Sequence, residues 1–131
     1  MLTHEDNELL CRVGPGTPMG ELMREYWIPC LPSSEFPDND GPAKRMMLLG
    51  ESFVMFRDTE GKMGAVAEAC PHRGASMYFG RVEDCGIRCQ YHGWKYNGVG
   101  ELCEVPHDHF GKATPRCKLR DYPVRVRYGL V

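Results

Sequence analysis

The chain has 131 residues, 42% of them hydrophobic, and a net charge of −2, which suits one domain with its own core. So slight a negative balance argues against nucleic acid or an anionic membrane as partner. No apolar run approaches the roughly 20 residues that span a bilayer, and the acidic start Met1-Leu2-Thr3-His4-Glu5-Asp6-Asn7-Glu8 lacks the apolar stretch of a secretory signal, so the cytoplasm is the expected compartment.

Residues 5–27 read as a helical arm. Thr17 is placed to cap a helix, Pro18 suits its first position and Glu21 complements the dipole in the first turn. Leu22, Met23, Tyr26 and Trp27 supply an apolar stripe, and Pro29 and Pro32 stop any helix there. The polar run from Ser33 to Pro42 reads as a loop. From residue 43 onward the sequence turns to short strands: Lys44–Leu49, Ser52–Arg57, Lys62–Ala69, Gly86–Gln90, Trp94–Asn97 and Glu101–Val105. Asp58-Thr59-Glu60-Gly61 and Asn97-Gly98-Val99-Gly100 carry turn chemistry. Met46-Met47 and Leu48-Leu49 are expected in the core. Residues 106–116 read as an irregular loop, and Lys118–Arg127 as a final strand. The expectation is a mainly β, antiparallel domain over 33–131 behind a helical arm over 1–32. The last residues, Tyr128-Gly129-Leu130-Val131, still read as strand, which points to a piece of a longer protein or a gene truncated here.

Seven cysteines are many for such a chain. In a reducing compartment, clustered thiols point to metal rather than to disulfides. Cys11, Cys30, Cys85, Cys103 and Cys117 show no paired spacing and are expected as buried or half-buried thiols. Cys70 and Cys89 differ. They open two segments, Cys70-Pro71-His72-Arg73-Gly74 and Cys89-Gln90-Tyr91-His92-Gly93-Trp94, which together read C-x-H-x16-C-x2-H. Each segment offers one thiolate and one imidazole, with glycine just beyond for a tight turn. Such a Cys2His2 set suits either tetrahedral zinc or a [2Fe–2S] cluster in which two histidines serve one iron. Zinc fingers keep cysteine with cysteine and histidine with histidine along the chain. Here each segment mixes them, so each could touch both irons of a dinuclear centre, Cys70 and Cys89 on one and His72 and His92 on the other.

These segments resemble the cluster loops of Rieske proteins. Cys89-Gln90-Tyr91-His92-Gly93-Trp94-Lys95-Tyr96 and Cys70-Pro71-His72-Arg73-Gly74-Ala75 are similar to the loops of Rieske non-haem iron ring-hydroxylating oxygenases. The arm from Val13 to Met23, with Tyr26-Trp27-Ile28-Pro29, resembles the start of phthalate-dioxygenase-type oxygenase alpha subunits. The resemblance implies a Rieske-type antiparallel β-sandwich with a cluster-binding subdomain. It also implies one-electron transfer from a flavin or iron–sulfur reductase to mononuclear Fe(II). That iron is expected in a catalytic domain absent from this sequence, reached in the same or a neighbouring subunit of a homotrimer. The system implied is a dioxygenase, monooxygenase or O-demethylase of aromatic catabolism, with no oxygen chemistry in this chain alone. A stand-alone Rieske-type ferredoxin is the alternative, and a zinc-stabilised binding module a third reading. High-potential respiratory Rieske proteins resemble this site but add a cysteine in each loop and a serine donor. Ala75, Tyr91 and Trp94 stand at those places here, which implies a low potential.

Around the ligand set, Arg73 is a candidate hydrogen-bond donor or partner contact, Trp94 a candidate shield, and Tyr96 a candidate hydroxyl donor to sulfur. His107-Asp108-His109 has the composition of a small metal site but reads better as a solvated loop.

Overall fold

A computed structural model of the chain describes residues 1–106 and 117–131. The His107-Asp108-His109 segment lies outside the described residues. The chain begins with two short helices, α1 (His4–Cys11) and α2 (Pro18–Arg24). Thr3 caps α1 in a reciprocal capping box with Asp6, and Thr17 caps α2, its side chain accepting from the Gly20 N–H. The cap at Thr17, the proline behind it and Glu21 in the first turn stand as the sequence led us to expect.

Among the described residues seven strands follow: β1 (Lys44–Leu48), β2 (Glu51–Arg57), β3 (Met63–Ala67), β4 (Arg81–Glu83), β5 (Gly86–Arg88), β6 (Lys95–Asn97) and β7 (Leu102–Glu104). They form two antiparallel meanders, β1-β2-β3 and β4-β5-β6-β7, so the expected β architecture is observed. Leu49 and Gly50 both take positive φ (49° and 76°) and make the tight turn from β1 to β2. The Asp58–Gly61 turn closes with the Gly61 N–H donating to Asp58 O at 2.9 Å, and the next with Gly100 donating to Asn97 O at 3.0 Å.

Strand β2 carries four consecutive buried residues because its sheet is covered on both faces. Val54 and Phe56 point into one core with Val66, Met77, Ile87, Tyr96 and Leu119. Phe53 and Met55 point into the other with Phe36, Ala65 and Val131. The first core lies between the sheet and the subdomain that carries the two loops, and Cys70 and Cys89 belong to it.

Several expectations are corrected. Lys118–Arg127 is not a strand. Lys118 bridges to Glu101 and Asp121 to Val66, so the segment is divided between the two sheets, and Pro123 removes a donor from any further ladder. Strand β4 had no sequence signal, because its turn to β5 uses Asp84 and Cys85 in the left-handed region (φ 46° and 59°) where glycine or asparagine is the usual mark. The Cys85 N–H donates to Thr59 Oγ1 at 2.9 Å, which ties this turn to the other sheet. Met47 is exposed, because β1 alternates and only Met46 and Leu48 face the core. Cys11 and Cys103 are exposed rather than buried or half-buried. Leu22, Met23, Tyr26 and Trp27 are exposed as well. Tyr26 and Trp27 border an apolar groove of about 760 Å³ between the arm, β2 and the C-terminal segment, with Arg125 over the Trp27 ring at 4.1 Å.

Candidate metal centre

The two cysteine–histidine segments are loops of the same construction. The first leaves β3 and the second joins β5 to β6. In the first, the Cys70 N–H donates to Ala75 O (2.9 Å) and the Gly74 N–H donates to Cys70 O (2.7 Å). In the second, the Cys89 N–H donates to Trp94 O (2.8 Å) and the Gly93 N–H donates to Cys89 O (3.0 Å). Both rings close through a glycine at positive φ, Gly74 at 72° and Gly93 at 73°. A side chain there would be strained whatever space surrounds it. The histidine stands two residues after the cysteine in one loop and three after it in the other.

The loops bring their donors together by kind. Cys70 and Cys89 are both buried, each 2% exposed. His72 and His92 are half-buried at the rim, with ring centroids 4.5 Å apart. Trp94 of the second loop stacks on His72 of the first, 4.3 Å away and parallel within 1°, and so links the two loops. Tyr91 lies against His92 at 3.9 Å and leaves much of its own ring in solvent. Tyr96, fully buried, holds its hydroxyl 3.6 Å from Cys70 Sγ. Arg73 is exposed and makes no hydrogen bond or ion pair among the described residues.

The electrostatics fit a cationic guest. Burial pushes the Cys70 thiol up, against the opposing pull of the His72 backbone N–H and the Tyr96 hydroxyl, and the neighbouring Cys89 thiol adds to the rise. Two adjacent buried thiolates are therefore costly alone and become favourable when a metal compensates their charge. Burial, then His92 and Arg73, hold His72 below the usual imidazole range, so its neutral, metal-competent form dominates near neutral pH. Burial and the Cys70 sulfur push the Tyr96 hydroxyl well up, so it stays a donor. Among the described residues no three Cys, His, Asp or Glu side chains converge as ligands of a single ion. Tetrahedral zinc needs all four donors within about 2.3 Å of one point. A sulfur pair inside and an imidazole pair outside match a dinuclear centre whose two irons take unlike ligands.

Each loop has its own anchor, and neither anchor was legible in the sequence. Glu68, two residues before Cys70, accepts from the Ser52 hydroxyl, from the Ser76 hydroxyl at 2.6 Å and from Arg45 at 2.8 Å. Those two hydroxyls, with Arg45, hold its carboxyl below the usual range. Arg88, immediately before Cys89, donates to Glu83 of β4, to Gly93 O at 2.7 Å and to Glu104 of β7 at 2.7 Å. The Arg81 and Arg88 guanidiniums hold the Glu83 carboxyl down at about 2.

Comparison with known proteins follows the same line. The Rieske [2Fe-2S] domain family matches residues 26–123. The chain is 46% identical, over its full length, to the 3-chlorobenzoate-3,4-dioxygenase oxygenase subunit of Comamonas testosteroni, of which it covers 30%. It is 48% identical over 105 residues to the phthalate 4,5-dioxygenase oxygenase subunit of Pseudomonas putida, covering 80% of this chain and 24% of that one. Among solved structures, NdmA of Pseudomonas putida CBB5 superposes with a TM-score of 0.74 at 27% identity, over 84% of this chain and 34% of that one. The chain thus spans about a third or less of the relatives it matches. Among the described residues, no helix is long and apolar enough to cross a membrane.

Proposed function

The chain belongs to the Rieske [2Fe–2S] domain family, and from that premise we propose that it is the electron-transfer domain of an aromatic-ring oxygenase or demethylase. We assign Cys70 and Cys89 as the thiolate ligands and His72 and His92 as the imidazole ligands. The observation that carries the assignment is the segregation of the donors, two buried sulfurs beneath two rim imidazoles 4.5 Å apart. When bound, the cluster supplies a one-electron redox couple.

The chain's own residues do the rest. Cys70 and Cys89 take their sulfurs out of water, so the charge there is balanced by metal and by hydrogen bonds alone. Tyr96 offers its hydroxyl to the Cys70 sulfur. Trp94 fixes the plane of the His72 ring by stacking and screens that side from solvent. His72 and His92 stand half-buried at the surface, beside exposed Tyr91, which makes this rim the docking edge for partners. The donor partner is a flavin or iron–sulfur reductase. The acceptor is mononuclear iron in a catalytic domain of the same or a neighbouring subunit, in a homotrimer. Relatives named as oxygenase subunits of dioxygenase and O-demethylase systems support this reading over a stand-alone ferredoxin.

Anaerobic purification with iron and acid-labile sulfide analysis, followed by electron paramagnetic resonance of the reduced protein, tests it. Two irons and two sulfides per chain with the low-field-shifted spectrum of a histidine-ligated cluster are expected. Potentiometry should give roughly −150 to 0 mV, the low end of the Rieske range. One zinc and no sulfide would refute the assignment.

A further inference from the structure

Among the described residues the second loop has no carboxylate of the kind that Glu68 gives the first. The three nitrogens of Arg88 instead reach three elements. Nε donates to Glu83 on β4, Nη2 donates to Glu104 on β7 at 2.7 Å, and Nη1 donates to the carbonyl of Gly93 at 2.7 Å. An ordinary surface ion pair contributes little. This one is unlike that case in two respects. The Arg88 side chain is only 18% exposed, and one of its bonds goes to the backbone of the loop itself, at the residue after His92. Gly93 sits in the left-handed region, outside the strand ladder, and its carbonyl accepts from this guanidinium. The planar fork holds N–H groups of three separate nitrogens in fixed directions toward these acceptors, whereas an ammonium offers its three donors from one point.

We propose that Arg88 is a positioning residue of the metal centre. Its guanidinium pins the closing turn of the second loop to β4 and β7, and so sets where His92 stands relative to Cys89. The proposal rests on the reading of Cys89 and His92 as ligands; the hold on the loop does not. Arg81 supplies the control. It pairs with the same Glu83 carboxylate and has no bond to either loop among the described residues.

The test compares Arg88→Met, Arg88→Lys and Arg81→Met in the iron-loaded protein. It reads backbone hydrogen exchange in 70–76 and 89–94, iron release to a chelator, and the electron paramagnetic resonance spectrum. In Arg88→Met the 89–94 amides should exchange about tenfold faster, the loss of one charge-assisted bond, while 70–76 stays as it was. Iron should be released about tenfold faster and the spectrum should broaden. Arg88→Lys should behave like Arg88→Met in the loop, and Arg81→Met like the wild type. If Arg88→Met does not fold, Glu104→Gln removes the charge of a single exposed partner and should give the same loop-confined signature at smaller amplitude. Wild-type exchange in 89–94, or an equal rise in both loops, overturns the proposal. Loop-confined opening in a protein that purifies without iron and sulfide upholds the hold of Arg88 on the loop and sinks the ligand reading instead.

Discussion

The two loops of the metal centre share one backbone ring and differ in what holds it. In each, the cysteine N–H reaches a carbonyl five residues on, and a glycine N–H four residues on returns to the cysteine carbonyl. Outside the ring the likeness ends. The first loop is tied by an anion, Glu68, to hydroxyls and a guanidinium of its surroundings. The second is tied by a cation, Arg88, to two carboxylates and a carbonyl. The ring geometry is thus set locally, by glycine and the short spacing. The placement of each ring in the molecule is set by a long polar side chain just before its cysteine. The opposite signs of the two anchors place charge of either sign close to the centre.

Removing the sulfur at the heart of either ring should erase the difference. Cys70→Ala and Cys89→Ala are each expected to abolish iron and sulfide binding entirely, measured by metal analysis, because both thiols are buried and, among the described residues, the other thiol packed against their core, Cys117, is only half-buried. Retention of a cluster in one variant alone would show the loops to be unequal partners. Cutting one anchor should separate the loops. Glu68→Gln is expected to destabilise the fold by about 1–2 kcal/mol in chemical denaturation, with faster hydrogen exchange confined to 70–76.

A smaller effect distinguishes the two sulfurs. Among the described residues Tyr96 reaches Cys70 and makes no bond of this kind to Cys89. Tyr96→Phe should therefore lower the reduction potential by roughly 30–60 mV, the one-electron equivalent of about 1 kcal/mol, while iron content stays at the wild-type level. An unchanged potential would remove the hydroxyl from the set of tuning groups. The smallest effect is on pH dependence. The Glu83 carboxyl is held down at about 2 by Arg81 and Arg88, below its unfolded value near 4.3. A lowered folded value contributes stability that is present above the unfolded one and lost as pH falls through the folded one. The stability difference between the wild type and Glu83→Gln should be constant above about pH 5 and shrink between there and pH 2. A difference that persists unchanged at pH 2 would detach Glu83 from the anchor of the second loop.

The sequence by itself determined the parts of this protein that depend on near neighbours. Thr17 and Pro18 mark a helix start, Asp58–Gly61 marks a turn, and the two cysteine–histidine segments mark a four-donor set with a glycine closing each loop. All of these follow from spacing and local backbone preference. What only the tertiary structure decided depends on residues far apart in the chain. Alternation could not reveal that β2 is buried on both faces. Apolar content at Lys118–Arg127 could not reveal that the segment is shared between two sheets rather than paired as a strand. The exposure of Trp27 was hidden in the same way, since its partner Arg125 lies about a hundred residues on. Glu68 and Arg88 look in sequence like any charged residue beside a strand. Their roles arise because a carboxylate or a guanidinium collects its partners through space, from Ser52 and Arg45 in one case and from Glu83 and Glu104 in the other, and those meetings exist only once the chain has folded.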